Sequence, residues 1–108
     1  MRTLFIGRWQ PFHAGHQALI ETVLREGRDV VIAVRDTVQS PDNPLGAADR
    51  QQRIQAALAP WGSRVTVIVI PDVDEVAYGR TPGWRVREIR LEADLEAVSA
   101  TAIRAGWA

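Results

Sequence analysis

Two runs constrain this chain more than any other feature. Residues 29–36, DVVIAVRD, and 64–70, RVTVIVI, carry apolar, mostly β-branched side chains with almost no polar alternation. A strand apolar on both sides has no face to offer water, so it belongs in a parallel sheet with helices against it. The segments between such runs have helical spacing. In GHQALIETVLRE (15–26), Leu19, Ile20, Val23 and Leu24 share one face while Glu21, Arg25 and Glu26 turn away. Gly27 supplies the expected C-cap. In AADRQQRIQAALA (47–59) the inner face is Ile54, Ala57 and Leu58, and Pro60 limits the helix. Residues 3–7 read as an earlier short buried strand ended by Gly7, and TVQSPDNPLG (37–46) as a loop. WRVREIRLE (84–92) alternates like a strand with one wetter face, after an acidic, glycine-containing stretch. SATAIRAGW (99–107) reads as a short helix with Ser99 as its N-cap. This order predicts one α/β domain over 1–108, a three-layer sandwich around a parallel sheet of four to five strands with right-handed crossovers.

Ligands in such sheets bind beyond the carboxyl ends of the strands. The segment leaving the first strand is GRWQPFHAGH (7–16), and it holds both histidines of the chain, His13 and His16. Gly7 permits a tight turn and close approach of a ligand, Pro11 stiffens the turn, and Gly15 leaves room above the helix start. A helix N-terminus offers unpaired N–H groups and a positive dipole end, which suit an anion. Histidines three residues apart can face one side of that helix, with Arg8 adding a permanent charge. The segment makes a polar cradle suited to a phosphate chain. Two other readings stay open: a metal pair, poor for zinc without a third histidine or a cysteine, and ordinary turn residues. The glycine pattern is not GxGxxG, which withholds support from a dehydrogenase-type dinucleotide fold. Near the other end, Ser99, Thr101 and Arg104 in SATAIR form a second constellation able to hold phosphate oxygens, or a plain N-cap beside a surface arginine.

Composition narrows the classes. There are 13 positive and 13 negative side chains, and every positive one is arginine. A balanced charge argues against a nucleic-acid coat or a membrane-surface protein. Arginine suits two-pronged phosphate recognition, although a GC-rich genome also explains the missing lysine. The absence of cysteine removes disulfides and thiolate metal sites. With neither an apolar leader nor a membrane-length run, the expectation is a soluble cytoplasmic protein. Four tryptophans in a small domain favour burial of apolar surface in a homo-oligomer.

HAGH has the form HxGH, and SATAIR has the form [ST]xTxxR. This pair resembles the signatures of the nucleotidylyltransferase superfamily, the cytidylyltransferase-like group with a Rossmann-like fold. Within it, GRWQPFHAGH is most similar to the archaeal nicotinamide-mononucleotide adenylyltransferase branch, whose opening is close to GRFQPxHxGH. VQSPDNPLGAADR resembles that branch's loop and its acidic-Arg pair, here Asp49-Arg50. The resemblance covers 3–26, 33–54, 64–75 and 99–104. The chain is shorter than enzymes of that branch, and the region between PDVDE and SATAIR, residues 76–98, is compressed.

The resemblance implies attack by an acceptor phosphate on the α-phosphorus of ATP or CTP, with pyrophosphate leaving. It implies that His13 and His16 contact the phosphates, His16 at the α-phosphate. Arg104 and Thr101, assisted by Ser99, would hold the β/γ portion. Gly7, Arg8, Gln10 and Gly15 would line the nucleotide loop. Mg²⁺ would be held mainly by nucleotide phosphates and water. Arg50 is a further candidate against a solvated helix position, as are Asp72, Asp74 and Glu75 against a solvated loop. Trp9, Tyr78 and Trp84 are candidates to stack on a base or nicotinamide ring, against core packing or a subunit interface. The leading expectation is adenylyl transfer from ATP to a phosphate-bearing acceptor such as nicotinamide mononucleotide. The alternatives are a cytidylyltransferase acting on a sugar- or polyol-phosphate and a nucleotide-binding module without transfer activity.

Overall fold

A computed structural model describes residues 1–80 and 83–89. Strand β1 (Arg2–Gly7) leads to helix α1 (Ala14–Arg25), strand β2 (Asp29–Asp36), helix α2 (Ala47–Ala57) and strand β3 (Val65–Pro71). The strands lie in the order β1-β2-β3, and both pairings are parallel. The β-branched run of β2 occupies the centre, where it gains neighbours on both edges. The register aligns Phe5, Ile32 and Val67 across the sheet. Period-two alternation puts these on one face with Val30 and Val34. That face packs against Ile20, Val23 and Leu24 of α1, and Ile54 and Leu58 at the end of α2, forming the core. Of the inner faces expected from helical spacing, Ile20, Val23, Leu24, Ile54 and Leu58 are buried, while Leu19 and Ala57 are half-buried; the C-cap of α1 is Glu26, and Gly27, expected in that place, follows it with φ 86.

Among the described residues the fold is α/β with three strands, and its helices cover one sheet face. The opposite face carries Leu4, Ile6 and Ile68, which are 57%, 38% and 39% exposed. The expectation of complete burial for β1 and β3 is thus corrected. Each has a strand on one side only among the described residues, and no described helix covers their second face. The expected fourth strand is also corrected over residues 84–89, which form no strand. Arg87 instead grips Glu26, at the C-cap of α1, with two hydrogen bonds of 3.1 and 2.6 Å, and Ile89 packs on the core. Residues 90–92 and the expected helix over 99–107 lie outside the described residues.

A 3-10 segment, Ala59–Arg64, follows α2 with Pro60 in its first turn. Proline pre-sets φ for that turn and lacks the N–H that would extend α2. The segment delivers Arg64 to the end of α1. There its Nη2 donates to the carbonyls of Leu24 (2.6 Å) and Arg28 (2.9 Å), and its Nε donates to Asp29 (3.2 Å). A cation at a helix C-terminus satisfies carbonyls that have no partner within the helix. Arg64→Met keeps the stem and removes these bonds. It should lower stability by about 1–3 kcal/mol, or roughly 4–8 °C in Tm per kcal/mol for a domain near this size, as read by a circular-dichroism melt.

Candidate functional site

The turn between β1 and α1 is built around Trp9. Its backbone adopts φ 56, a left-handed conformation uncommon for a bulky residue. Its indole is only 5% exposed and donates from Nε1 to the Ala33 carbonyl of β2 at 3.1 Å. Burial and this bond hold a backbone geometry that costs on the order of 1–3 kcal/mol. Of the three readings open for Trp9, core packing is the observed one. The close approach at Gly7 is made by this same ring: a Cβ there would lie 2.8 Å from Trp9 Cε2. The Trp9 ring also meets His16 edge-on, with centroids 4.8 Å apart and planes at 89°. The sheet, through Ala33, thereby fixes the base on which His16 rests.

The two histidines form a reciprocal cap. His13 is the N-cap of α1 in extended backbone geometry. Its Nδ1 accepts from the backbone N–H of Gly15 (3.1 Å) and of His16 (3.3 Å). His16 Nδ1 in turn accepts from the backbone N–H of His13 at 3.3 Å. This is the logic of a capping box with imidazoles in place of a hydroxyl and a carboxylate. The rings stack at 3.6 Å between centroids and 17° between planes, so both lie on one side of the helix start as their spacing predicts. The expectation that the N–H groups of this terminus are unpaired is corrected for Gly15 and His16, because His13 takes both.

An Nδ1 that accepts a hydrogen bond is unprotonated, so each neutral ring carries its proton on Nε2. Burial pushes His13 below the ordinary histidine range. Burial, with the charge of His13 second, pushes His16 down to about 4. Both rings are therefore neutral at pH 7, each with one Nε2–H donor. The folded chain resists protonation at pH values where an unfolded histidine accepts it.

The rest of the edge is tied together by side chains on backbone groups. Gln10 is buried, and its amide pairs with both polar groups of Leu45, donating to the carbonyl at 2.9 Å and accepting from the N–H at 3.0 Å. Exposed Arg8 donates to Asn43 Oδ1 at 3.2 Å. The loop over 37–46 is thus anchored to the turn after β1. Arg50 is fully buried and donates to the carbonyls of Arg8 and Arg35, each at 2.7 Å, and to those of Leu45 and Gly46 at 3.1 and 3.3 Å. The solvated-helix reading of Arg50 is corrected. The signal was present in the sequence: Arg50, Ile54 and Leu58 recur every four residues on one helix face. Burial lowers the Arg50 pKa, opposed by the more distant charges of Asp36 and Asp72.

The remaining candidates separate. Gly15 is buried in the first turn of α1. Asp72 pairs with Arg35 at 2.9 Å, while Asp74 and Glu75 line an open depression with Ile6, Arg35, Val73 and Val76. Tyr78 and Trp84 are 61% and 69% exposed, which overturns core packing for both. Ser99, Thr101 and Arg104 lie outside the described residues.

Two outcomes test this geometry. Gly7→Ala should cost about 1–3 kcal/mol, as overpacking does, because the buried, hydrogen-bonded Trp9 ring cannot retreat; a chemical-denaturation midpoint measures it. Lowered histidine pKa values also make stability depend on pH. The His16 contribution is complete above pH 6.5 and is lost as pH falls from there toward about 4, since the unfolded chain takes up protons first. The fall in Tm between pH 7 and 5 should be distinctly shallower in His16→Gln than in the wild type.

A family model described as cytidylyltransferase-like matches residues 4–74. The nicotinamide-nucleotide adenylyltransferase of Methanococcus aeolicus is 37% identical over 76 residues, covering 68% of this chain and 44% of that protein. That of Methanolobus tindarius is 37% identical over 78 residues, covering 70% and 45%. The chain thus spans under half the length of these two relatives. A crystal structure of a bifunctional NMN adenylyltransferase/ADP ribose pyrophosphatase from Francisella tularensis, complexed with AMP and a manganese ion, aligns with TM-score 0.59 and 30% identity. It covers 66% of this chain and 22% of that one. The family match spans β1 to the end of β3, the same stretch that builds the histidine cap and the edge around it: the chain belongs to the cytidylyltransferase-like family.

Proposed function

We propose that this chain transfers an adenylyl group from ATP to the phosphate of nicotinamide mononucleotide, releasing pyrophosphate. The observation that carries the reading is the reciprocal histidine cap, which leaves two neutral imidazoles stacked at the carboxyl edge of a parallel sheet, each with an Nε2–H donor. The names of the similar proteins support ATP and nicotinamide mononucleotide as the reactants.

The chemistry suits these groups. An oxygen of the acceptor phosphate bonds to the α-phosphorus of ATP while the bond from that phosphorus to the bridging oxygen of the β-phosphate breaks. Pyrophosphate carries that electron pair away. The attacking oxygen is already anionic, so no side-chain nucleophile or strong general base is needed. Catalysis then consists of aligning two anions and meeting the charge on the phosphate oxygens. His16 would donate Nε2–H to the α-phosphate, His13 would donate beside it, and Arg8 would supply a fixed positive charge. Gly7, Gly15 and Gln10 shape the turn that presents them. Ser99, Thr101 and Arg104 complete the proposal as the β/γ-phosphate half.

Among the described residues no group of three or more histidines, cysteines or carboxylates can hold a metal ion. The described residues therefore offer no built metal site, and Mg²⁺ would enter on the phosphates of ATP as part of the substrate. No described helix is long and apolar enough to cross a membrane; ATP and a soluble phosphate acceptor fit a cytoplasmic enzyme.

A pyrophosphate-release assay with ATP or CTP, against nicotinamide mononucleotide or a polyol phosphate, tests the reading. The expected result is turnover with ATP and nicotinamide mononucleotide, reduced on the order of 10²–10³-fold in His16→Ala, the usual loss when a donor to a developing oxyanion is removed. Turnover with CTP and the polyol phosphate alone would point to a cytidylyltransferase. ATP binding with no turnover on any acceptor would point to a nucleotide-binding module.

A further inference from the structure

Arg50 is a fully buried cation with no carboxylate in ion-pair contact among the described residues. Buried charges are ordinarily paired, because leaving water is expensive. Here the partners are four neutral carbonyls, those of Arg8, Arg35, Leu45 and Gly46, and Nη2 has no hydrogen-bond partner among the described residues. Packing gives no reason for this choice. Arg50 shares its helix face with Ile54 and Leu58, both buried in the core, and well-packed apolar residues commonly replace buried charges without loss of stability.

An apolar side chain cannot fix the positions of carbonyls. Arg8 is the first residue after β1, Arg35 is the penultimate residue of β2, and Leu45 and Gly46 close the loop ahead of α2. One guanidinium therefore joins three chain segments at the carboxyl edge of the sheet: the turn after β1, the end of β2 and the loop ahead of α2. It also grips both sides of one contact. The exposed guanidinium of Arg8 meets Asn43 Oδ1 at 3.2 Å, and Arg50 holds the backbone of Arg8 on one side and of residues 45–46 on the other.

We propose that Arg50 is a positioning residue for the phosphate-binding edge: through the carbonyls of Arg8, Leu45 and Gly46 it sets where the Arg8 guanidinium stands against Asn43, so the affinity for ATP that Arg8 contributes depends on Arg50. This inference rests on the adenylyl-transfer reading. Arg50 itself touches no substrate. Lysine in its place keeps the charge but loses the fork that spans three segments.

The test is a double-mutant cycle read by calorimetric titration of ATP into the wild type, Arg8→Ala, Arg50→Lys and the double variant. Arg8→Ala should weaken ATP binding about tenfold in the wild type, the scale of a lost charge-assisted hydrogen bond, and less than about twofold in Arg50→Lys, with stoichiometry near one throughout. A purely structural Arg50 would lower Tm and the binding-competent fraction while the Arg8→Ala loss stayed the same in both backgrounds; equal losses overturn the proposal. Should Arg50→Lys fail to fold, Arg50→Gln carries the same cycle. The coupling is also readable with residue 50 intact. The Arg50 Nε–H resonance should shift when ATP is added to the wild type and stay still in Arg8→Ala, and an equal shift in both overturns the proposal. A wild-type protein that binds no ATP overturns the adenylyl-transfer reading and this inference together. ATP binding with additive losses overturns this inference alone.

Discussion

The hydrogen bonds between the two histidines and the start of α1 are the constraint on which the site depends. A helix start leaves backbone N–H groups in need of acceptors, and this chain meets that need with imidazole nitrogens. The choice couples structure to chemistry. Each Nδ1 is committed to the backbone, so the Nε2–H of each neutral ring is the group left for a ligand. A serine or aspartate cap would hold the helix equally well and leave no such donor. Stacking at 3.6 Å keeps both rings together, and the edge of Trp9 supports His16 from the sheet side.

Behind the cap, the carboxyl edge is assembled from side-chain bonds to backbone carbonyls more than from ion pairs. Trp9 bonds the Ala33 carbonyl, Gln10 pairs with the peptide groups of Leu45, and Arg50 spans Arg8, Arg35, Leu45 and Gly46. Loops that leave adjacent parallel strands lack ladder partners, and these side chains supply them. An edge fixed in advance loses little ordering entropy when a polyanion binds, which is how positioning contributes to catalysis.

Much of this was legible in the sequence, for identifiable reasons. The central strand and the inner faces of both helices followed from period, because Ile20, Val23, Leu24, Ile54 and Leu58 repeat at helical spacing and are buried. The proximity of His13 and His16 followed from their separation of three. The mutual cap did not, because spacing says nothing of which ring nitrogen turns toward the backbone. Arg50 shares the period of Ile54 and Leu58, but its charge argues the other way: arginine on a helix is ordinarily solvated, and its burial depends on carbonyls brought in from residues 8 and 35. Residues 84–89 alternate as a strand does, yet Arg87 bonds Glu26 and the segment pairs with no strand among the described residues; alternation alone does not supply a neighbouring strand.

The histidine tautomers test the account at its root. Two-bond ¹⁵N–¹H correlation spectra of the folded protein at pH 7 distinguish a protonated Nδ1 from a protonated Nε2. Both rings are expected to be neutral, with bare Nδ1 and protonated Nε2. A proton on Nδ1 of either ring, or an imidazolium at that pH, would contradict the reciprocal cap and the donor arrangement built on it.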